Sequence, residues 1–168
     1  MIRPVLSYPD PILAKTAAEI ETVTPEICQL AEDMLETMYH KEGLGLAAPQ
    51  VGESCRLVVV DVSGPDKREE PLVFVNPRIT QAEGRVESSE GCLSVRNYRT
   101  KVQRAERIRL QALNLEGQPV DMEVDGMLAI CLQHELDHLD GVLFIDKISR
   151  LKRSLYEQKL KKWLKKQD

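Results

Sequence analysis

The sixteen residues from 126 to 141 read GMLAICLQHELDHLDG, and they decide how the rest of the chain is interpreted. Their apolar residues recur at intervals of three and four, which predicts a helix that ends at the Asp-Gly pair closing the segment. On that helix His134 and His138 lie one turn apart on the same face. Both imidazoles can therefore reach one metal ion, so the segment predicts a metal-binding helix at the centre of the fold.

Glu135 adds a second function to this helix. It lies about 100° around the axis from His134, which is too far to serve as an equivalent ligand but suits a general base that contacts water at the metal. The alternative is an ordinary helix, because a five-residue pattern also arises by chance. The chain has only three histidines, and the apolar Met127, Ile130 and Cys131 place the pair on a buried face. Buried imidazoles need partners, which favours metal ligation.

A catalytic metal site also needs a third protein ligand and an open coordination position. Cys92, in the segment EGCLS of residues 90–94, is a candidate because a thiolate suits a soft or borderline metal. The competing interpretation is a small buried side chain, which is the one we adopt for Cys28 and Cys55.

The segment GLGLAAPQ of residues 43–50 is the third unusual stretch. Its glycines allow a close backbone approach, and the side-chain amide of Gln50 can donate a hydrogen bond to a developing oxyanion. A tight turn after the first helix is the plainer interpretation of this stretch taken alone.

The remaining sequence predicts an α+β fold. A helix from about residue 25 to 40 is followed by strand-like runs that are too closely spaced for βαβ units. We therefore predict antiparallel or mixed β-sheets around the central helix, with an N-terminal helix and a C-terminal amphipathic helix. The length of 168 residues fits a single domain, 1–168. The predicted strands span residues 55–62, 72–75, 78–82, 98–103, 107–115 and 119–124.

The C-terminal segment, residues 149–168, is strongly basic. It carries eight Lys or Arg residues against Glu157 and Asp168, a charge of +6, whereas the rest of the chain carries 15 basic and 25 acidic residues. This asymmetry indicates an anionic partner for the tail, and the sharper alternative to a plain solvated helix is RNA. The apolar residues that mark the amphipathic helix are Ile148, Leu151, Leu155, Leu160 and Leu164.

Bulk properties exclude several classes of protein. The hydrophobic fraction of 42% and the charged fraction of 30% are typical of a globular chain. The N-terminal residues lack the unbroken apolar region of a secretory signal, and no run approaches the roughly 20 apolar residues of a membrane span. We therefore expect a cytoplasmic protein without membrane insertion, and we take a monomer as the expected oligomeric state.

Taken together, GLGLAAPQ, EGCLS and QHELDH closely resemble, in order and separation, the three signature motifs of bacterial peptide deformylases. The resemblance extends from Pro9-Asp10-Pro11 to Gly141-Val142-Leu143-Phe144. It implies an enzyme that removes the formyl group from the N-terminal formyl-methionine of newly made polypeptides and releases formate. The family also includes members that dock on the ribosome through a basic C-terminal helix, so the resemblance implies ribosomal RNA as a partner.

The resemblance also implies roles for individual residues. Glu135 is then the catalytic acid and base, while Gln50 and the backbone N–H of Leu93 hold the formyl oxygen. The implied metal is Fe²⁺, with Zn²⁺, Ni²⁺ or Co²⁺ in the isolated protein. The implied metal ligands are Cys92, His134 and His138. Candidate substrate-binding residues are Leu44, Gly45, Glu90, Met127, Ile130 and Cys131, with core packing the competing interpretation for the apolar ones.

Two other functions remain open at this stage. One is a different HExxH metallohydrolase such as a zincin-type peptidase, although zincins take their third ligand from downstream and no histidine follows His138. The other is a non-catalytic, RNA-associated protein that keeps the fold. One departure from the family pattern is Arg96, which replaces a proline common after this motif and puts fine substrate or inhibitor preference in doubt.

Overall fold

The structure, a computed structural model, describes residues 1–167 as three α-helices and seven β-strands, with three short 3₁₀ helices between them. The helices are α1 (Pro25–His40), α2 (Gly126–Leu139) and α3 (Arg150–Lys165). The strands are β1 (Gly45–Ala47), β2 (Leu57–Val60), β3 (Leu72–Glu83), β4 (Val86–Cys92), β5 (Val95–Arg104), β6 (Arg107–Leu113) and β7 (Pro119–Asp125).

All strand pairing within the two sheets is antiparallel. Strands β1, β2, β3, β6 and β7 form a five-stranded sheet in that order, and β4 and β5 form a separate hairpin. The predicted α+β class, with helices at both ends of the sequence and the HExxH helix between them, is confirmed. Nothing in the helices of residues 1–167 is both long and apolar enough to cross a membrane.

Strand β2 shows why the sheet is covered on both faces. All four of its residues are completely buried. Val58 and Val60 pack in a cluster with the apolar side chains of α2, while Leu57 and Val59 pack with those of α1. Successive residues of a strand point to opposite faces, so a continuous apolar run is what a strand between two helices requires. The apolar face of α2 is thus packed against one face of the sheet.

Helix α3 packs on the β4–β5 hairpin through a third cluster. Its buried residues are Tyr156 and Leu160, and Tyr156 lies 4.9 Å from Tyr98 of β5, measured between ring centroids. The prediction of an amphipathic helix is correct, but the prediction of its apolar face is wrong for three leucines. The exposed ones are Leu151, Leu155 and Leu164. An aromatic contact, which leucine spacing does not reveal, sets the rotation of the helix.

Three strands, β1, β3 and β4, differ from the sequence prediction for local reasons. Strand β3 continues through Asn76-Pro77 instead of stopping there, because its register shifts between Val75 and Arg78. The Asn76 side chain supports this irregularity by donating to the carbonyl of Ile20 and accepting its N–H, both at 2.8 Å. Strands β1 and β4 were not predicted, since one is very short and glycine-containing and the other is mostly polar.

Candidate metal centre and active site

Three potential metal ligands converge at the end of the β4 strand and the inner face of α2. His134 and His138 are both buried, with ring centroids 5.2 Å apart. The Sγ atom of Cys92 lies 3.3 Å from Nε2 of His138. Ligand atoms of all three residues lie within 4.8 Å of one another, and within residues 1–167 they form the one such group of three.

This geometry fits a metal ion. A tetrahedral ion about 2.1 Å from nitrogen and 2.3 Å from sulfur holds its ligand atoms roughly 3.5 Å apart, close to the separation between Cys92 and His138. One thiolate and two imidazoles suit borderline ions such as iron, zinc, nickel and cobalt. Nδ1 of His138 and Oε2 of Glu135 are buried without a hydrogen-bond partner among the described residues. Such a polar, buried and incompletely paired cluster is suited to a cation.

The turn between β4 and β5 positions the cysteine. Strand pairing shifts register between Gly91 and Cys92, so the turn from Cys92 to Val95 is tight. The backbone N–H of Ser94 donates to Sγ of Cys92 over 3.4 Å, and Ser94 is fully buried. Leu93 lies inside this turn, directly after the potential ligand. This contact fixes the direction of the Cys92 side chain toward His138.

A buried ionic network lies behind His134. Nδ1 of His134 lies 3.0 Å from Oε1 of Glu90. Arg104 donates to both Glu90 oxygens, from Nε over 2.8 Å and from Nη2 over 2.7 Å, and donates from Nη1 to Asp137 over 2.7 Å. Burial alone would raise the pKa of Glu90, but the contacts with Arg104 and His134 outweigh it and lower that pKa to about 2. Glu90 is therefore ionised and fixes the ring that it contacts.

The two histidines respond differently to this surrounding charge. Burial, together with the positive neighbours His134 and Arg104, lowers the pKa of His138 well below its usual value. For His134, burial acts in the same direction, but the contacts with Cys92 and Glu90 outweigh it and raise the pKa well above the usual value. The two neighbouring rings therefore have different electrostatic surroundings, because Glu90 contacts His134 and not His138.

Glu135 is a buried carboxyl group beside this cluster. Only 5% of the residue is exposed, and burial raises its pKa to about 7. The backbone of β1 approaches it closely, because a Cβ placed on Gly45 would lie 2.8 Å from Oε1 of Glu135. Any side chain at position 45 would displace that carboxylate. This explains in physical terms why the second glycine of GLGLAAPQ is a glycine.

Gln50 lies in the 3₁₀ helix that follows β1, with its side chain 1% exposed. Its Oε1 accepts the backbone N–H of Ala47 over 2.9 Å. The amide nitrogen must then point the other way, and Nε2 lies 3.1 Å from Oγ of Ser94 and 3.7 Å from Sγ of Cys92. The side chain therefore directs its donors at Ser94 and at the potential metal ligand, and the segment GLGLAAPQ contributes strand β1 and the 3₁₀ helix that follows it.

A cavity of about 660 Å³ opens onto this cluster. Burial raises the pKa of the Cys131 thiol in its wall to about 12, so this cysteine is a neutral apolar group there. Met127 is half exposed, as expected for the rim of a pocket and not for a core residue. The predicted site residues that line the cavity are Leu44, Gly45, Gln50, Glu90, Cys92, Leu93, Met127, Ile130, Cys131, His134 and Glu135.

The structure thus brings the predicted site residues to one place and adds others. Glu90 lines the cavity, and its oxygens are engaged by Arg104 and His134. Sequence reasoning missed Arg104, Ser94 and Asp137. Arg104 and Ser94 lie in or beside strands, where no regular spacing marks an arginine or a serine as functional. Asp137 lies inside the HExxH segment itself, and that position could have identified it.

Comparison with known proteins identifies relatives across nearly the whole chain. The sequence model of the polypeptide deformylase family matches residues 2–154. The chain is 50% identical to the peptide deformylase of Alkalilimnicola ehrlichii over 158 residues, covering 94% of this chain and 88% of that protein.

Solved structures agree with the sequence comparison. A peptide deformylase crystal structure from Legionella pneumophila superposes with a TM-score of 0.92 at 45% identity, covering 99% of this chain and 98% of that one. A Met-Ala-Ser-bound peptide deformylase from Acinetobacter baumannii has a TM-score of 0.82 at 36% identity, covering 88% of this chain and 99% of that one.

Proposed function

The chain belongs to the polypeptide deformylase family, and from that premise we propose which of its side chains carry out the reaction. Its members are metallohydrolases that remove the N-formyl group from the methionine of newly made polypeptides, and this chain is a hydrolase of that kind. The observation that carries the assignment of roles is the position of Glu135, a buried carboxyl group with a raised pKa beside the Cys92, His134 and His138 cluster.

We assign the three clustered residues as ligands of Fe²⁺, with Zn²⁺, Ni²⁺ or Co²⁺ able to occupy the same ligand set in isolated protein. When bound, the metal supplies a positive charge that polarises the formyl carbonyl and lowers the pKa of an attacking water. Glu90 orients the ring of His134 through its contact with Nδ1, and this leaves Nε2 for the metal.

Glu135 takes the proton from the attacking water and returns it to the departing amine. A pKa of about 7 suits both steps, because the group can accept a proton and release it near neutral pH. Oε2 has no hydrogen-bond partner among residues 1–167, so one carboxylate oxygen is not committed to the protein. Bond cleavage then leaves a free α-amine on the peptide and formate as the second product.

Gln50 and the backbone N–H of Leu93 stabilise the negative charge that grows on the formyl oxygen. Ala47 holds the amide of Gln50 so that its donors point toward Cys92 and Ser94, and one donor turns from these contacts to the formyl oxygen when substrate binds. Removing one donor of this kind costs about 3 kcal/mol of barrier, or roughly 100-fold in rate.

The substrate is a peptide that begins with formyl-methionine. Apolar side chains of α2 in the cavity wall, Met127, Ile130 and Cys131, suit the methionine side chain. Strand β1 is at the edge of its sheet and contributes Gly45 to the same cavity, so an extended peptide can pair with it. The Met-Ala-Ser ligand of the Acinetobacter baumannii relative has the sequence of such a deformylated product.

The test of the catalytic assignment is the variant Glu135→Gln. We expect formate release from formyl-Met-Ala-Ser to fall by at least 100-fold, while the metal content of the purified protein stays at the wild-type level. His40→Gln, which changes the histidine of α1 outside the cluster, is the matched control and should keep full activity. Retained activity in Glu135→Gln would remove the acid–base role, and cleavage of an unformylated peptide by the wild type would favour the peptidase alternative.

We further propose that α3 docks on ribosomal RNA, that the chain acts as a cytoplasmic monomer and that residues 1–168 form one domain. Six basic residues of α3 are exposed, four of them in its last two turns, and three exposed leucines accompany them. Phosphate contacts would make the binding sensitive to salt. Light scattering should report one chain per particle.

Truncation of the tail is a poor test of RNA binding, because Tyr156 and Leu160 of α3 are part of the core. The better variant changes Lys161, Lys162 and Lys165 to Gln and leaves that core contact intact. We expect it to lose co-sedimentation with ribosomes at low salt, while Lys101→Gln on the β4–β5 hairpin does not. Unchanged co-sedimentation of the triple variant would exclude this docking mode.

A further inference from the structure

A second cavity, of about 380 Å³, lies behind the metal-binding helix. Its walls come from β3, from the end of β5, from α2 and from the segment that precedes α3. It is separated from the larger cavity by Arg104, which lines the second cavity while donating to Glu90 in the wall of the first. The polar residues around it are Arg56, Arg78, Gln103, Arg104, Gln133, Asp137, Asp140 and Lys147.

The charges around this second cavity are not balanced. Arg104 is committed to Glu90 and Asp137, and Lys147 shares the same Asp137 carboxylate at 3.5 Å. Arg56 is paired with the exposed Asp140 at 3.0 Å. With Arg78 included, four cations therefore face three carboxylates. The cations are Arg56, Arg78, Arg104 and Lys147, and the carboxylates are Glu90, Asp137 and Asp140.

The cation without a carboxylate partner among the described residues is Arg78, an exposed residue at the rim of this cavity. Its Nη2 donates to the neutral amide of Gln111 over 2.8 Å, and no carboxylate of residues 1–167 lies within ion-pair distance of it. A guanidinium has five N–H donors in a planar fork, so Arg78 keeps several donors for a further partner.

The other two cations keep donors as well. The Nζ group of Lys147 has three donors and its contact with Asp137 is long, while Arg56 uses Nη1 for the carbonyl of Leu139 and Nη2 for Asp140. Cationic side chains from three separate segments thus surround one concave space. A planar carboxylate uses two or three of these donors, whereas a tetrahedral oxyanion can accept from three directions at once.

From this arrangement we propose that the second cavity binds a small tetrahedral oxyanion of the phosphate class, held by Arg56, Arg78 and Lys147. A water occupies about 30 Å³, so the cavity has room for several water-sized groups. It can therefore hold a phosphate, and also a phosphoryl group with a small substituent. The cavity contains none of the metal ligands and none of the residues assigned to catalysis, although Arg104 and Asp137 in its wall belong to the network behind His134.

A short chain of hydrogen bonds nevertheless links this second cavity to the metal centre. Asp137 lies on α2 between the two histidines and bonds to Arg104, which bonds to Glu90, which contacts His134. An anion that binds Lys147 would remove its contact with Asp137, and Arg104 would still pair with that carboxylate. The hydrogen bonds that link Arg104, Glu90 and His134 would not change.

The test is titration of the metal-loaded protein with inorganic phosphate at constant ionic strength, followed by calorimetry and by the thermal midpoint. We expect saturable binding with a midpoint rise of about 3–5 °C at ten times the dissociation constant. Phosphate that binds at the metal itself contributes equally to all variants. The informative comparison is therefore Arg78→Gln combined with Lys147→Gln, which should weaken binding at least tenfold relative to wild type.

Arg85→Gln supplies the matched control, since Arg85 is an exposed arginine that does not line the cavity. It should bind phosphate as the wild type does. Equal affinity in wild type and the double variant, or no saturable binding in the wild type, would overturn the proposal. A loss of binding in Arg85→Gln equal to that in the double variant would also overturn it, because it would indicate a general effect of net charge.

Discussion

The change Arg104→Met tests whether the ionic network behind His134 holds the site together. It removes the guanidinium that donates to both oxygens of Glu90 and leaves a carboxylate with 6% side-chain exposure without its main partner. In the intact protein the contacts with Arg104 and His134 together outweigh burial and lower the pKa of Glu90 from 4.5 to about 2, which corresponds to about 3 kcal/mol at neutral pH. Breaking a buried ion pair typically costs about 3–5 kcal/mol, so both approaches agree.

The sign of this effect with pH follows from the lowered pKa. The stabilisation is complete above the usual pKa of a glutamate and is lost as the pH falls through the lowered value, so measurements near pH 7 see all of it. We expect urea denaturation at fixed metal concentration to show a loss of about 3 kcal/mol in the free energy of unfolding. Adding Glu90→Gln to Arg104→Met should recover part of that loss, because the unpaired buried charge is then absent.

The matched control is Arg109→Met. Arg109 pairs with Asp121 at 2.8 Å, but both side chains are more than 40% exposed. An exposed pair contributes at most about 1 kcal/mol, so this variant should unfold close to the wild-type urea concentration. If Arg104→Met and Arg109→Met unfold at the same urea concentration, the buried network does not hold the site and the reasoning fails.

Three further predictions concern the cavity. Gly45→Ala places a methyl group 2.8 Å from Oε1 of Glu135 and should lower kcat/KM at least tenfold with unchanged metal content; a wild-type value would show that the carboxylate can move. Because burial raises the pKa of Cys131 to about 12, its alkylation by iodoacetamide should still accelerate with pH at pH 10, whereas a plateau near pH 9 would contradict the burial. Ile130→Phe should raise KM for formyl-Met peptides, and an unchanged KM would remove Ile130 from the pocket.

The sequence predicted the centre of the protein well because helical spacing is a geometric signal. His134 and His138 are four residues apart, and that spacing places both on one face in any regular helix. The apolar neighbours Met127, Ile130 and Cys131 were predicted to share the pocket, and they line the same cavity. Cys92 was a modest candidate by itself, and its place in a three-motif resemblance made it specific.

The parts that the sequence did not predict depend on long-range contacts. Arg104 looks like any polar residue of a strand, and its importance appears only when the hairpin brings it against Glu90 and Asp137. The rotation of α3 is set by the aromatic contact between Tyr156 and Tyr98. Leucine spacing instead pointed to residues such as Leu151 that are exposed in the fold.

The most direct test of the account is formate release by wild-type protein loaded anaerobically with Fe²⁺, using formyl-Met-Ala-Ser and counting the new α-amine in parallel. The account predicts one formate for each new amine, with activity that disappears when a chelator removes the metal and returns when the metal is restored. Absence of formate from a fully metal-loaded wild-type protein would contradict it.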